Sequence, residues 1–349
     1  MQHLRVMSPA PRDVWHEVHA ADSKALVTQR PDWLDCLCEI GGYEDASRFY
    51  ETRDGRRFIL PLVRRLHLPQ QLSVQASFPS GWGFGGLIAS HPLGPEDVAL
   101  VLNDLAGLPG LRTSVRPNPL EGTVWALGGI PRAVVIQRRA HVLDLGGGFG
   151  YVWSRRFEGS ARTGFRKAER RGVRAECDST GRLVSTYYEL YERSLERWAE
   201  KQHEPLWLAR WRGHRRDPLR KFEALARALG EAMRVWVAWV DGQPAAAIVV
   251  LMGRNAHDTR GVMDFELAAP SRANDLIQTL AIQSACNEGC RHYHMGESGS
   301  STRIGHYKYQ FGAEAYPYPE YRLEPVSVTK VDTRLRAFAK SAIGFRELE

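Results

Sequence analysis

Residues 292–312 read HYHMGESGSSTRIGHYKYQFG, and the rest of the chain is best understood from this stretch. The pattern predicts a short strand at His292–Met295, then a loop of glycine and small polar residues, then an aromatic segment that ends at Gly312. The aromatic segment carries one cation, Lys308, between two tyrosines. A lysine in such a segment indicates a site for an anionic group.

Length and composition limit the kinds of ligand that Lys308 could bind. A chain of 349 residues exceeds the size at which one hydrophobic core usually stops growing, so two domains are expected. The 43% hydrophobic and 10% aromatic content is typical of a globular protein. The formal charge of +7 is compatible with a polyanionic partner such as RNA or a nucleotide-bearing ligand. An arginine-rich codon bias explains the same charge equally well.

Several classes of protein and site are disfavoured. The N-terminus has no apolar run of signal-peptide length and no segment is apolar enough to span a bilayer, which predicts a cytoplasmic protein without a membrane partner. Five cysteines without a CxxC pair argue against a disulfide framework and against a structural zinc site. GxSxG, HExxH and Walker patterns are absent. His292 and His294 share a strand face but lack a third ligand, so no metal is expected.

The order of elements predicts a tandem architecture. Asp54-Gly55 and Asp241-Gly242 are hairpin signals, and each is followed by an apolar strand. The second lies in a β-meander over 235–266, which a helix at Asn274–Glu288 follows. Two copies of hairpin, helix and strand predict an α/β or α+β chain with mixed sheets flanked by helices. With a hinge at Gly146–Gly150, we expect domains at 1–145 and 146–314 and a tail at 315–349.

One helix is unusually basic. Its cations at spacings of three to five residues repel one another, and either solvent and salt or a phosphate-bearing ligand offsets that repulsion. They are Arg162, Arg166, Lys167, Arg170 and Arg171. Downstream, Trp207 and Trp211 alternate with arginines; this pattern fits base stacking or helix packing, and packing is the preferred interpretation.

Three pieces of the sequence resemble the Fem-type aminoacyl transferases and their GNAT relatives. Residues 162–173, RTGFRKAERRGV, are similar to a basic helix of that family. Gln29, Trp33 and the later Leu60-Pro61-Leu62 resemble its N-terminal pieces, and 307–313, YKYQFGA, resembles its closing segment. The resemblance spans roughly residues 25 to 320 in the right order. It implies two GNAT-like domains in tandem and a C-terminal tail that returns to the first domain.

The resemblance also implies an activity. Fem-type members transfer an amino acid from charged tRNA to an amine, whereas other relatives are understood to use acyl-CoA. Lys308 would stabilise the oxyanion or bind the terminal phosphate, and Tyr307 would stack on the terminal adenine or hold the lysine by a cation–π contact. Glu297 is the nearest carboxylate that could accept the proton of the amine. The donor is expected at the five basic-helix cations and Arg303. The acceptor is expected at Trp33, Trp82, Ser298 and His294.

Departures from the family pattern narrow these expectations. CoA-using GNAT domains carry a glycine-containing turn that presents N–H groups to the pyrophosphate, but here Pro270–Asn274 contains no glycine. Cys36 stands where cell-wall Fem proteins usually have a lysine, and their coiled-coil insertion is not evident. A smaller amine or peptide acceptor, as in antibiotic biosynthesis, is therefore expected, with no cofactor besides the charged tRNA. An acyl-CoA N-acyltransferase and a non-catalytic RNA- or anion-binding module are the alternatives. The oligomeric state is open, with a monomer favoured.

Overall fold

The computed structural model describes residues 4–299 and 301–346; Ser300 of the predicted loop and the three residues at each end lie outside them. The strands are β1 (Arg5–Met7), β2 (Tyr43–Asp45), β3 (Arg48–Glu51), β4 (Arg57–Leu60), β5 (Val63–Arg65), β6 (Val74–Ser77), β7 (Ile88–Ala89), β8 (Arg112–Val115), β9 (Ala133–Asp144), β10 (Arg174–Asp178), β11 (Met233–Val240), β12 (Gln243–Leu251), β13 (Ala256–Met263), β14 (His292–Glu297) and β15 (Glu314–Leu323). The helices are α1 (Arg12–Ala21), α2 (Pro31–Gly41), α3 (Pro95–Ala106), α4 (Gly122–Leu127), α5 (Gly148–Tyr151), α6 (Gly159–Arg170), α7 (Val184–Gln202), α8 (Leu206–Arg216), α9 (Leu219–Leu229), α10 (Phe265–Ser271), α11 (Ala273–Asn287), α12 (Thr302–Gln310) and α13 (Val328–Ala342).

The chain forms two units. The first runs to Arg139 and adds Tyr316–Ala337, and the second consists of Ala140–Ala315 together with the chain from Phe338 onward. Strand β9 passes from the first unit to the second, and β15 passes back. The predicted domain limits at 145 and 314 stay a prediction, as does the expectation that the first domain binds the acceptor and the second domain binds the donor.

The first unit contains two groups of strands. One has the order β1-β3-β4-β7, and the other has the order β15-β8-β6-β5-β2. The hairpin predicted at Asp54-Gly55 joins β3 and β4, with Gly55 at φ +80°, where glycine is favoured. Helix α2 begins at Pro31 and ends before Gly42, which lies in the left-handed region.

Residues Tyr316–Ala337 of the predicted tail belong to the first unit, whereas the chain from Phe338 onward belongs to the second unit. Strand β15 pairs antiparallel with β8, and Tyr321 lies opposite Val115. The Tyr321 hydroxyl donates to the Trp125 carbonyl at 2.5 Å within the core. The buried Glu320 carboxylate accepts from Arg116 and Arg138. Burial raises the pKa of Glu320, but the charges of these arginines outweigh burial and leave the pKa lowered.

The second unit holds a mixed sheet of order β10-β11-β12-β13-β14-β9. Strands β11, β12 and β13 form the predicted meander, with Asp241-Gly242 at the first turn. Helix α11 packs against β11 and β12, and α7 packs against β12 and β13. Mixed sheets flanked by helices are thus present, as expected.

A buried ion cluster ties three elements of the second unit together. Asp217, which follows α8, is almost fully buried. Its carboxylate lies 2.8 Å from Lys221 Nζ of α9, 2.8 Å from Arg216 Nε at the end of α8 and 2.8 Å from an Arg260 guanidinium nitrogen of β13. The cluster therefore fixes two helices against the strand that also contributes to the candidate site.

Candidate active site

The candidate site lies where the parallel strands β13 and β14 stop pairing. Their register holds for Ala256 opposite Tyr293 and His257 opposite His294, and within the described residues it ends there. Beyond this point β14 continues to pair with β9 on its other side, with a bulge between His294 and Gly296. At residues 296–297 the backbone edge of β14 that faces β13 is therefore open to another group.

Lys308 occupies this place. Helix α12 begins after Ser301, whose hydroxyl accepts from the Ile304 N–H at 3.2 Å, and Lys308 lies in its last turn. The buried Nζ donates to the Gly296 carbonyl at 3.0 Å and to the Glu297 carbonyl at 2.7 Å. Gly296 has φ +70°, in the left-handed region, so two successive carbonyls accept from the same ammonium. Lys308 thus connects α12 to the end of β14.

A carboxylate that the sequence analysis did not single out, Asp258, interacts with this lysine. Burial raises the pKa of Asp258 to about 6, and the charge of Lys308 opposes that rise. Burial lowers the pKa of Lys308 to about 8, and Asp258 and Glu297 oppose that fall. Gln278 bonds to the Asp258 carboxylate and donates to the Tyr293 hydroxyl at 3.0 Å. The sequence offered one signal for Asp258, namely a carboxylate directly after His257 in a strand of the predicted meander.

Two buried histidines lie opposite each other on β13 and β14. The rings of His257 and His294 are 6.0 Å apart. Burial lowers the pKa of His257 to about 3 and that of His294 well below its ordinary value, so both are neutral. His294 is fully enclosed, and its predicted contact with the acceptor stays a prediction. Among the described residues no group of three His, Cys, Asp or Glu side chains is placed to hold a metal ion.

The remaining predicted groups of the 292–312 stretch take different positions. The Tyr307 hydroxyl donates to the Asn274 carbonyl at 3.4 Å, and its ring packs on Phe311 with centroids 5.2 Å apart. Ser298 is partly exposed, and Arg303 is exposed on α12. The side chain of Glu297 is also partly exposed. Stacking on adenine by Tyr307 and proton abstraction by Glu297 stay predictions.

Helix α6 carries the predicted basic cluster, and its cations divide into two groups. Arg162 donates to the Trp153 carbonyl at 3.2 Å and also to that of Phe157, and Arg171, just after the helix, donates to the Pro270 carbonyl at 2.8 Å. These two guanidinium groups hold the backbone of their own unit. Arg166 and Arg170 are exposed and Lys167 is partly exposed, with Arg166 6.0 Å from the Trp153 ring centroid. Three cations of α6 are therefore available to an anion.

Side chains of the protein itself occupy the N-terminus of α11. Asp275 in its first turn is buried, and its carboxylate lies 2.6 Å from Arg272 Nε. Helix α6 crosses at Gly164, where an added Cβ would clash with the Asp275 carboxylate. Burial raises the pKa of Asp275 to about 6, with Arg272 opposing. A side-chain carboxylate thus lies at the helix terminus that presents N–H groups to anionic ligands in other proteins.

The predicted acceptor tryptophans lie in the first unit. Trp33 and Trp82 are buried, with ring centroids 5.8 Å apart in an edge arrangement. Trp33 Nε1 donates to the Trp82 carbonyl at 3.2 Å. Their role as acceptor contacts stays a prediction. For Trp207 and Trp211 of α8 the preference for packing is wrong, because both rings are largely exposed.

Part of the chain matches a known protein family. Residues 155–311, which include α6, the meander, α11 and Lys308, match the family described as Acetyltransferase (GNAT) domain. No curated protein matches the sequence significantly.

Three solved structures share the fold. FemX is 11% identical with a TM-score of 0.62, and the alignment covers 92% of this chain and 97% of that chain. A conserved protein of unknown function from Bacteroides thetaiotaomicron VPI-5482 is 10% identical with a TM-score of 0.57, covering 92% and 99%. The C-terminal domain of a putative lysylphosphatidylglycerol synthetase from Agrobacterium fabrum is 13% identical with a TM-score of 0.50, covering 95% of both chains. Residues 155–311 therefore match the GNAT acetyltransferase family, and the chain as a whole shares the fold of FemX.

Proposed function

We propose that this protein is an acyltransferase that moves the aminoacyl group of a charged tRNA to the amine of a small molecule or peptide in a cytoplasmic natural-product pathway. The Fem-type fold and the three accessible cations of α6 support a tRNA donor. The putative lysylphosphatidylglycerol synthetase that shares the fold is named for an aminoacylated product. Cys36, a buried thiol on α2, supports an acceptor other than the nucleotide-linked cell-wall precursors.

The observation that carries the choice of donor is the N-terminus of α11. A CoA pyrophosphate requires open backbone N–H groups at such a terminus. Here the Asp275 carboxylate, its partner Arg272 and the close approach of Gly164 occupy that position. A second anion there would face a buried carboxylate, which is unfavourable. An aminoacyl ester bound at α6 and α12 does not require open backbone N–H groups at the N-terminus of α11.

The reaction follows from the groups at the end of β14. The free amine attacks the ester carbonyl, so a C–N bond forms, and the C–O bond to the tRNA ribose breaks as the tetrahedral oxyanion collapses. The Lys308 ammonium, held by the Gly296 and Glu297 carbonyls, stabilises the oxyanion. The amine proton passes to a carboxylate, and the departing ribose oxygen takes a proton in return. Because the ester is already activated, positioning and charge supply most of the catalysis.

The donor is tested with bulk tRNA charged with labelled amino acids and a panel of small amines and dipeptides. We expect labelled amide product that disappears when RNase is added first, and no rise in Tm with acetyl-CoA. Product that survives RNase, or product from acetyl-CoA, would contradict the proposed donor and favour the acyl-CoA alternative. Tight tRNA binding without any product, across the whole panel, would favour the non-catalytic RNA-binding alternative.

The α6 surface provides a matched control for that experiment. The double variant Arg166→Glu/Arg170→Glu is expected to weaken charged-tRNA binding about tenfold or more, because two phosphate contacts are lost and two repulsive charges are added. Arg227→Glu on the exposed side of α9 makes the same kind of change away from α6 and should leave binding within about twofold. Equal affinities for both variants in filter binding at several salt concentrations would remove α6 from the donor site.

We assign the general base to Asp258 in preference to Glu297, because Asp258 interacts with Lys308 and burial raises its pKa to about 6. Asp258→Asn is expected to lower kcat about 10²-fold with little change in Tm, since the amide keeps the shape and can still bond to Gln278. In the unsubstituted protein the rate should fall as pH drops through about 6, when the base becomes protonated. A variant that retains the full rate, or an acid limb that Glu297→Gln removes instead, would move the assignment to Glu297.

A further inference from the structure

Helix α13 presents an apolar face to solvent. Val331, Leu335 and Phe338 are 57%, 64% and 75% exposed, and their spacing of four and three residues places them on one side of the helix. The first turn is anchored by Thr329, which is buried and whose N–H and hydroxyl both donate to the Glu324 carboxylate. The helix is therefore fixed at its start with three large apolar side chains directed away from the protein.

The charges on α13 are mostly positive. Four cations, Lys330, Arg334, Arg336 and Lys340, stand against one carboxylate, Asp332. Asp332 pairs with Arg336 at 2.9 Å, so the ion pair neutralises only one of the four. Helical spacing places Lys330 and Arg334 beside the apolar face. The helix thus combines an exposed aliphatic and aromatic stripe with an excess of positive charge.

We propose that α13 lies in the headgroup region of an anionic lipid bilayer, with Val331, Leu335 and Phe338 inserted and the cations on acidic headgroups. This combination of an apolar stripe and a cationic flank suits an interfacial helix. A second copy of the chain would bring the same positive charges together across the helix pair, which disfavours it. Nucleic acid would leave the two aliphatic side chains without a stacking partner.

This contact is with a surface only. No helix in the described part of the chain is long and apolar enough to cross a membrane. The sequence predicted no membrane partner because no segment is apolar enough to span a bilayer. That criterion does not detect an amphipathic helix that lies on a membrane surface. The inference does not depend on the donor or the acceptor of the proposed reaction.

The test is co-sedimentation of the full chain with large unilamellar vesicles of phosphatidylcholine alone or of phosphatidylglycerol and phosphatidylcholine in equal parts. We expect at least tenfold stronger binding to the anionic vesicles, weakened by high salt. Leu335→Gln/Phe338→Gln should reduce binding at least tenfold with an unchanged Tm. Leu127→Gln, at an equally exposed leucine (71%) on α4, is the matched control and should bind like the unsubstituted protein.

Three outcomes overturn the proposal. Equal binding of the double variant and the Leu127 control shows that α13 is not the contact. Absence of binding to anionic vesicles excludes the bilayer as partner. Loss of a dimer in sedimentation velocity of the double variant, without any vesicle binding by the parent, shows that a second copy covers the face. None of these results bears on aminoacyl transfer, which is measured separately with tRNA and soluble amines.

Discussion

Lys308→Ala is expected to lower kcat/KM by about 10³-fold, because it removes the cation that two backbone carbonyl bonds hold at the end of β14. The change also releases the Gly296 and Glu297 carbonyls from their donor, so positioning and charge are lost together. Lys201→Ala, at an exposed lysine of α7, is the matched control and should leave kcat/KM unchanged within experimental error. The measurement is the initial rate of labelled amide formation with the acceptor found in the donor experiment.

The pH dependence separates charge from packing. The active form is the ammonium, and burial lowers the pKa of Lys308 to about 8. Activity should therefore fall as pH rises through about 8. Lys308→Arg keeps its charge throughout this range, so its lower rate should show no such alkaline limb. If the alkaline limb persists in the arginine variant, or Lys308→Ala keeps most of the activity, the ammonium has only a structural role.

The same lysine affects stability with the opposite sign. Its folded-state pKa is lowered, so between about 8 and the unfolded value the unfolded chain holds the proton that the folded chain has released. The contribution of Lys308 to the free energy of unfolding accordingly rises with pH in this window, while activity falls. Opposite trends in the two measurements on one sample identify the lysine as their common source.

Asp217→Ala is expected to reduce the free energy of unfolding by about 3–5 kcal/mol, because it leaves the buried Lys221 ammonium and two arginines without their carboxylate. The measurement is urea denaturation followed by circular dichroism. Asp332→Ala removes an exposed i,i+4 pair with Arg336 and should cost no more than about 0.5 kcal/mol.

Low pH should cause part of the loss in free energy of unfolding that is expected for Asp217→Ala. The Lys221, Arg260 and Arg216 charges outweigh burial and lower the pKa of Asp217. Its stabilising contribution is therefore complete above the unfolded pKa and is lost as pH falls toward the lowered folded value. The alanine variant should lack this component of acid sensitivity. A loss of less than about 1 kcal/mol on substitution would mean that water reaches the cluster and screens it.

The sequence predicted those features that local chemistry determines. Asp54-Gly55 and Asp241-Gly242 form the predicted hairpins, because turn preferences act within a few residues. The tandem architecture and the returning tail came from the resemblance to a family. The sequence also singled out Lys308, in the stretch 292–312, as a candidate site residue.

The missed features depend on distant residues. Asp275 is enclosed because Gly164, far away in sequence, brings α6 against it. The carbonyl partners of Lys308 depend on the left-handed backbone of Gly296, and the raised pKa of Asp258 depends on burial that only the folded sheet provides. Trp207 was misjudged for the same reason, since a tryptophan on a helix is packed or exposed according to what lies opposite it.

The returning strand β15 has a consequence for the order of folding. Tyr321 bonds to Trp125 across 196 positions of sequence, and Glu320 bonds to Arg116 across 204. A ribosome must therefore release nearly the whole chain before the first unit can acquire this strand, whereas the sheet of the second unit is already complete in sequence by Glu297. Synthesis that stops before Glu314 leaves β8 with an unpaired edge. For such a chain, self-association and proteolysis compete with folding, and the N-terminal half is the vulnerable half.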